Sequence, residues 1–421
     1  MHKIKFLGAA REVGRSCFLV DVGEKILLDD GVKLSSEETQ YPLPVKVNLD
    51  AAIISHAHLD HSGNLPYLFN GPPCLTYMTA PTLDLAKMLW FDSLKIAGLE
   101  GMDAGFSKEE IRRTEKYTFA LNYNKHMDIK GKVSMEFFDA GHILGSAITK
   151  LHIGKKSLVY TGDFKPEETR LHNGADLNRV GSCDYLITES TYGNREHGER
   201  KQTEKEFVED VQDTIDRGGH ALVAAFAVGR SQEIVDILNE YHINAPIYYD
   251  GMCQKAANIY MNFPKWVKNP SFLKKALKRV TWVRREKDRK EALKQPSVVV
   301  TTSGMLQGGP IYAYLPSVYR DHNSKLMLTG YQVKGTPGSI LLDTGRIQLN
   351  GIDAEVKMRV EKFDFSAHAG KAELMRATKK FSPEKIFCVH GDEEVSEFFV
   401  RELRAEGFNA IAPKQGEELP L

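Results

Sequence analysis

The hexapeptide HAHLDH at positions 56–61 constrains this chain more than any other feature. It directly follows AAIIS at 51–55, a continuous apolar run typical of a strand buried on both faces. Core histidines usually occur singly, whereas here three imidazoles and a carboxylate fall within six residues at a strand end. Imidazole and carboxylate without thiolate favour a water-accessible zinc site. The alternative is a histidine-rich surface loop.

The spacing within this segment predicts two groups of ligands. Alternation along an extended chain places His56 and His58 on one side. Asp60 and His61 follow one turn later and can face a second ion. Because a catalytic zinc site needs several protein ligands, further donors must come from elsewhere in the chain.

Three candidates for these donors follow predicted strands and are flanked by glycine. His142 lies in DAGHILGS, Asp163 in YTGDFK and His390 in CVHGDE. Taken singly, each would be interpreted as structural, but together they predict donors that converge at one sheet edge. Asp29 and Asp30 also end a strand, in LLDDG, and one of them could orient a ligating imidazole.

Alternation of short strands, turns and helices predicts an α/β fold. The first region contains strand-like runs such as IKFLGAA, CFLVDVG, VSMEFFDA and KSLVYTGD, and a helix in PTLDLAKMLWFDSLKIAG. From 196 onward a charged amphipathic helix opens a second series of predicted parallel strands and helices, and short strands return from about 356. The predicted domains are therefore 1–195 with 356–421, and an inserted domain at 196–355.

Composition excludes some partners and leaves others open. Lys plus Arg equals Asp plus Glu at 56 each, so any nucleic-acid site must be local. No apolar run approaches the roughly 20 residues of a membrane span, so no membrane partner is expected. MHKIKFLGAA is typical of a strand and not of a signal peptide. Five scattered cysteines without a CxxC pair favour reduced thiols in a cytoplasmic protein.

The motifs resemble those of the metallo-β-lactamase superfamily. HAHLDH is its signature, and Asp29, His142 and Asp163 match its remaining motifs in order. The resemblance implies an α/β fold of a specific kind, a four-layer αββα metallo-β-lactamase sandwich with an inserted α/β β-CASP domain.

The second region resembles the β-CASP insertion of nucleic-acid nucleases. Glu189 in TESTYG, His368 in FSAHAG and His390 in VHGD match its three hallmarks. The nearest relatives by these motifs are the nuclease subunit of the cleavage and polyadenylation specificity factor and its archaeal homologues, with RNase J more distant. DNA-repair members carry Val at the position of His390, so the resemblance favours RNA.

The resemblance implies two zinc ions per chain and assigns their ligands. One ion would be held by His56, His58 and His142, the other by Asp60, His61 and His390, with Asp163 bridging. A hydroxide between the ions would attack phosphorus in line.

The resemblance also implies a catalytic group and its products. His368, oriented by Glu189, is the candidate general acid. Asp60 and Asp29 are the other two candidate catalytic residues. The alternative for His368 is a structural hinge residue. The products would be a 5′-phosphate and a 3′-hydroxyl, with the insert clamping single-stranded RNA over the zinc face.

Candidate substrate contacts lie in the insert. Arg230 in AFAVGRSQE and Ser303 in TTSGMLQGGP are two of them. Gly304, Gly308 and Gly309 could offer backbone N–H groups to phosphates, or be simple turns.

A basic segment at 265–294 holds 12 Lys or Arg against three Asp or Glu, with Trp266, Phe272 and Trp282 interleaved. This mixture suits single-stranded RNA, with Lys274 and Lys278 as candidate contacts. The alternative is a solvated helical face whose aromatic residues belong to the core, and charge runs are usually of that kind.

Two other functions compete with RNA hydrolysis. A hydrolase of small esters or thioesters would use the same zinc site but would lack the insert. A non-catalytic scaffold subunit would have lost ligands, whereas none of the seven is missing. The sequence does not distinguish endonuclease from 5′-to-3′ exonuclease, and it leaves open a homodimer or other RNA-processing partners. The KH-type domains of archaeal relatives and the C-terminal domain of RNase J are not expected here.

Overall fold

A computed structural model describes residues 2–34, 38–349 and 351–421. The chain divides into two compact units. The first contains Met1–Leu34, Glu38–Glu196 and Ala367–Leu421, and the second contains His197–Ser366. Each unit has its own sheets and its own buried core.

The elements of the described residues are numbered in chain order. The strands are β1 (Lys3–Gly8), β2 (Cys17–Asp21), β3 (Lys25–Leu28), β4 (Ala51–Ile53), β5 (Leu75–Met78), β6 (Thr118–Ala120), β7 (Met127–Lys130), β8 (Val133–Asp139), β9 (Ala147–Ile153), β10 (Lys156–Tyr160), β11 (Tyr185–Glu189), β12 (Ala221–Ala224), β13 (Ile247–Asp250), β14 (Thr281–Trp282), β15 (Val298–Thr301), β16 (Lys325–Leu328), β17 (Arg346–Leu349), β18 (Ile352–Glu355), β19 (Arg359–Lys362), β20 (Lys385–Val389), β21 (Ala410–Ile411) and β22 (Glu418–Pro420). The helices are α1 (Leu59–Ser62), α2 (Ala80–Glu100), α3 (Lys108–Lys116), α4 (Leu177–Val180), α5 (Arg200–Asp216), α6 (Arg230–Glu240), α7 (Cys253–Asn262), α8 (Pro270–Arg279), α9 (Glu286–Ala292), α10 (Ile311–Val318), α11 (Pro337–Thr344), α12 (Lys371–Phe381) and α13 (Glu393–Ala405), with 3₁₀ turns at Leu65–Asn70 and Pro264–Trp266.

Two mixed sheets form the first unit. Within the described residues the first sheet has the order β22-β1-β2-β3-β4-β5-β6, and the second has the order β21-β20-β11-β10-β9-β8-β7. In the second sheet β20, β11 and β10 are parallel, and β9 is antiparallel to both β10 and β8. β8, β10, β11 and β20 therefore run in one direction, and their carboxyl ends lie at the same edge.

Alternating side chains on these strands explain the layers of the first unit. In β8 and β10, Phe137 and Leu158 enter a core shared with the first sheet, where they meet residues such as Phe18. The neighbouring Phe138 and Val159 face the other way and pack with residues of α12 and α13. Because successive side chains point to opposite faces, one strand serves both cores. This arrangement confirms the α/β sandwich predicted from the sequence.

Helix α2 shows how local sequence fixes an element of this unit. The Thr79 hydroxyl accepts a hydrogen bond from the Thr82 amide at 3.3 Å, and Pro81 occupies the first turn. The helix ends at Gly101, whose φ of 67° is in the left-handed region. These are the start and stop signals expected of a helix, and they match the helix predicted from the sequence.

The second unit is built on a parallel sheet with the order β14-β13-β15-β12-β16-β19 in the described residues. Its central strands ALVA and VVVT are entirely buried, which explains their continuous apolar character. Helices α5 to α11 connect the strands, and β17 and β18 form a separate hairpin.

The second boundary between the units differs from the predicted one. The sequence prediction returned the chain to the first region at 356, because short strands resumed there. In the structure Leu326 of β16 is paired in parallel with Val360 of β19, so this strand extends the sheet of the second unit. The chain returns to the first unit at Ala367.

In the part of the chain that the structure describes, no helix combines the length and the apolar character needed to cross a membrane. The cysteines Cys17, Cys74, Cys183, Cys253 and Cys388 are buried and unbonded.

The shared core of the first unit yields a stability prediction. Phe137 is fully buried between the sheets, so Phe137→Ala should lower the free energy of unfolding by about 3–5 kcal/mol. Leu99 is 77% exposed, so Leu99→Ala is the control and should change it by less than about 0.5 kcal/mol. Guanidinium unfolding of both variants tests this. Equal effects of the two substitutions would contradict the assigned core.

Candidate active site

The predicted donor side chains converge at one edge of the first unit. His56 follows β4 and Asp163 follows β10, and both side chains are buried. Gly162 allows the backbone before Asp163 to lie close to Ser55: its φ is 54°, and a Cβ there would lie 2.7 Å from the Cβ of Ser55. His390 follows β20 directly and is also buried. Local backbone geometry therefore brings donors from distant strands into contact.

One group of donors consists of three imidazoles and a carboxylate. His142 Nε2 lies 3.1 Å from His58 Nδ1. Asp163 Oδ2 lies 3.7 Å from His56 Nε2 and 3.9 Å from His142 Nε2. The ligand atoms of all four residues lie within 4.8 Å of one another.

A second group shares the same aspartate. Asp163 Oδ2 lies 3.3 Å from His61 Nε2, and Asp163 Oδ1 lies 3.2 Å from His390 Nδ1. Asp60 Oδ2 lies 3.3 Å from His390 Nε2. Asp60 and His61 are supplied by α1, a single turn immediately after His58. Asp163 is therefore the one residue common to both groups.

Hydrogen bonds fix the orientation of these imidazoles. Ser55 Oγ donates to Asp29 Oδ2 at 2.7 Å, so the Ser55 oxygen 3.0 Å from His56 Nδ1 is available to accept. His142 Nδ1 donates to the carbonyl of Ala367 at 2.9 Å. Each ring then keeps a bare lone pair on Nε2, which is the atom directed at the site.

Asp29 orients His61 in the same way. The Nδ1 of His61 donates to Asp29 Oδ2 at 2.7 Å, and Tyr160 donates to the same oxygen at 2.6 Å. The Asp30 carboxylate faces elsewhere and accepts a hydrogen bond from the side-chain amide of Asn64 at 3.0 Å. The strand pattern alone left both aspartates open, the resemblance selected Asp29, and the structure brings Asp29 to the imidazole. Burial raises the pKa of Asp30 to about 7.

Several supporting groups were missed in the sequence. Ser55, Tyr160 and the Ala367 carbonyl all hold or brace donor side chains. Thr191 Oγ1 lies 3.2 Å from His390 Nδ1. Tyr160 ends the apolar half of β10, LVY, which predicts a buried side chain but not its hydroxyl partner. The Ala367 carbonyl carries no side-chain signal at all.

The buried atoms at this site fit a metal ion. His56 Nε2 and Asp163 Oδ1 are buried without a hydrogen-bond partner in the described residues. Unpaired buried polar atoms are costly, and a cation among them removes that cost. A tetrahedral zinc with bonds of about 2.0–2.1 Å separates its ligand atoms by roughly 3.3 Å. Several donor distances at this site are close to that value.

The electrostatics of the first donor group also suit a cation. Burial lowers the pKa of His56 and His142 well below the usual range, and neighbouring imidazoles add to the effect. Neutral imidazoles are the form that binds metal. Burial acts to raise the pKa of Asp163, but His390 and His61 outweigh it and hold that pKa well below its usual value. The shared aspartate is therefore a carboxylate.

His368 and Glu189 form a pair beside these donors. His368 Nδ1 lies 2.9 Å from Glu189 Oε2, and Glu189 Oε1 accepts from the amide of Phe164 at 2.8 Å. Burial acts to lower the pKa of His368, but the charges of Glu189 and Asp163 raise it to about 9. The His368 side chain is 18% exposed, whereas that of Glu189 is 1% exposed. His368 is thus a protonated group within reach of solvent.

The predicted contacts in the second unit have mixed environments. Arg230 begins α6, is 8% exposed and pairs with Glu233. Gly304 is buried, and a Cβ there would lie 2.9 Å from the amide of Phe226. Ser303 Oγ accepts from the Gln307 amide at 2.8 Å. These three positions therefore have evident structural uses, and an RNA contact stays a prediction.

Other positions in the second unit are accessible. Gly308 and Gly309 are exposed and have φ values of 86° and 82°. Lys274 and Lys278 lie on the exposed face of α8, whose apolar face is buried. Trp282 packs edge-to-face on Tyr249, with ring centroids 5.8 Å apart. Lys274 and Lys278 thus lie on a solvated helix face, and their contact with RNA stays a prediction.

Three family models match this chain. Residues 17–191 match a metallo-beta-lactamase superfamily domain, and residues 231–341 match a Beta-Casp domain. Residues 353–413 match a Zn-dependent metallo-hydrolase RNA specificity domain. The donor residues before the insert and His390 after it therefore fall within matched domains.

Curated relatives align over most of the chain. A probable RNase MJ4 of Methanocaldococcus jannaschii is 42% identical over all of both chains. RNase aCSPSF2 of Saccharolobus solfataricus is 35% identical over 99% of this chain and 85% of its own. Transcription termination factor FttA of M. jannaschii is 35% identical over 93% of this chain and 67% of its own.

A solved structure shares the fold. The crystal structure of a protein of unknown function from Enterococcus faecalis superposes with a TM-score of 0.65 over 100% of both chains, at 14% identity. Together with the relatives and the domain matches, the paired donor groups lead to one assignment. This chain belongs to the β-CASP ribonuclease family of the metallo-β-lactamase superfamily.

Proposed function

We propose that this protein is a zinc-dependent ribonuclease that hydrolyses single-stranded RNA in RNA processing or turnover. The observation that carries the proposal is the pair of four-residue donor groups that share Asp163, with the His368–Glu189 pair beside them. The relatives named RNases and the matched RNA specificity domain support RNA as the substrate class. The products would be a 5′-phosphate and a 3′-hydroxyl.

Each donor group would hold one zinc ion. The ligands would be the imidazoles and carboxylates of His56, His58, His142, Asp60, His61, His390 and Asp163. When bound, the two ions would activate water at neutral pH and stabilise charge on the phosphate. Asp29 would keep the Nε2 lone pair of His61 directed at its ion, because it accepts the proton on Nδ1.

His368 would donate the proton to the leaving 3′-oxygen. Glu189 holds the imidazole through Nδ1, so a proton given to the substrate would come from Nε2. The second carboxylate oxygen of Glu189 is fixed by the Phe164 amide, which prevents the carboxylate from turning away. An imidazole in a fixed orientation, beside a carboxylate that favours its protonated form, meets the geometric requirement of a general acid.

The first prediction concerns metal content. After dialysis against metal-free buffer the protein should retain two zinc ions per chain, and strong chelators should abolish RNA cleavage. Asp163→Ala should lose more zinc and activity than any other single substitution, because Asp163 belongs to both donor groups. Elemental analysis and cleavage assays measure this, with the exposed Asp216→Ala as control. Full activity of the chelated enzyme would exclude the two-metal proposal.

The second prediction separates proton transfer from metal binding. His368→Ala should keep the zinc content and the RNA affinity of the parent but cleave roughly 10²–10⁴-fold more slowly. Glu189→Gln should be less harmful, because the Gln side chain can still accept a hydrogen bond from His368 Nδ1 but no longer stabilises the protonated imidazole. Single-turnover cleavage beside metal analysis distinguishes the effects. Loss of zinc from His368→Ala, or cleavage at the parent rate, would remove the general-acid role.

The third prediction concerns the substrate. Single-stranded RNA should be cut far faster than DNA of the same sequence, since only RNA carries the 2′-hydroxyl that proteins use to distinguish the two. Parallel assays with matched oligonucleotides test this, and equal or faster cutting of DNA would contradict the proposal. A 5′ label on the RNA also reveals the mode of cleavage: labelled mononucleotide indicates a 5′-to-3′ exonuclease, and labelled fragments indicate an endonuclease.

A further inference from the structure

A separate group of metal-type side chains lies on the second sheet, outside the candidate active site. It consists of His126, Glu136 and His152, and is called here the sheet cluster. Glu136 belongs to β8 and His152 to β9, and His126 immediately precedes β7. The three residues therefore come from neighbouring strands, and none belongs to either donor group of the active site.

The spacing of the sheet cluster is that of metal ligands. Glu136 Oε1 lies 3.4 Å from His126 Nδ1 and 3.4 Å from His152 Nε2. These separations exceed the usual 2.7–3.2 Å of an N–H···O hydrogen bond. They match the roughly 3.3 Å between ligand atoms around a tetrahedral zinc with bonds of about 2.0–2.1 Å. His152 Nε2 is buried and has no hydrogen-bond partner in the described residues.

The charge of Glu136 is not compensated by the lysine opposite it. Glu136 pairs with Lys150 across β8 and β9, where an ion pair would be expected. Lys150 Nζ donates instead to the carbonyls of Val180 and Ser182, at 2.7 and 2.9 Å. The carboxylate is thus left facing two imidazoles, an arrangement that a cation completes.

A further carboxylate orients one of these imidazoles. Asp128 Oδ1 lies 3.3 Å from His126 Nε2 and can accept its proton. Nδ1 then carries the lone pair on the side of Glu136. A carboxylate behind a ligating histidine is a usual companion of metal sites, because it fixes the tautomer and the ring orientation.

We propose that the sheet cluster binds one zinc-type divalent ion through His126 Nδ1, Glu136 Oε1 and His152 Nε2. Water would complete the shell, because His126 is more than half exposed. The ion would connect β8 and β9 to the start of β7, the edge strand of the sheet. With three protein ligands and solvent access it binds more weakly than the buried donor groups, and it is lost on dialysis. Its role is to hold the sheet edge, independently of the proposed RNA hydrolysis.

Calorimetric titration of the dialysed holoenzyme with Zn²⁺ tests the proposal. The parent should take up one further ion per chain beyond the two retained. Glu136→Gln, which preserves the size of the side chain, and His152→Ala should both lose this uptake while keeping the retained zinc and the cleavage rate. His322→Ala, at an exposed histidine of the second unit, is the matched control and should bind the further ion.

Thermal unfolding gives a second measurement. Added Zn²⁺ should raise the Tm of the parent and of His322→Ala, because a ligand that binds only the folded state stabilises it, and should leave that of Glu136→Gln unchanged. No further uptake by the parent, or unchanged uptake by both cluster variants, would overturn the proposal. Either result would leave the proposed hydrolytic function untouched, since the active-site variants test that separately.

Discussion

The contact of one buried carboxylate with both donor groups is the interaction on which the rest of the site depends. Asp163 is 2% exposed and lies near imidazoles that precede and follow the insert in sequence. An uncompensated charge in such a place is very costly, so the cluster requires positive charge to be stable. The two sheets serve this requirement by ending their strands at a common edge. The surrounding hydroxyls and carbonyls then set the direction of each ring.

The convergence of these side chains could be predicted from the sequence because their signals are local. HAHLDH is one contiguous segment, and His142, Asp163 and His390 each follow a recognisable strand. Strand direction then brings these residues together, since the carboxyl ends of parallel strands lie at one edge of a sheet. The choice between Asp29 and Asp30 could not be made in this way. It depends on which carboxylate reaches His61, and adjacent residues at a strand end have identical local signals.

Features that depend on long-range pairing were harder to predict. The unit boundary near 356 was placed by the return of short strands, but strand pairing, and not strand length, decides which sheet a segment joins. The sheet cluster could not be predicted from the sequence for a similar reason. Its first and last members are 26 residues apart along the chain, and Glu136 and His152 become neighbours only through the register of β8 and β9. Backbone acceptors such as the Ala367 carbonyl leave no trace in the pattern of side chains.

The position of His390 along the chain has a consequence for biosynthesis. Asp60 and His61 are translated early, whereas their partner His390 comes only after the entire second unit. A nascent chain that ends within the second unit therefore has the first group of donors but an incomplete second group. This second group is complete only when β20, which His390 follows directly, has been added to its sheet. The second donor group is thus the last part of the candidate site to form during synthesis.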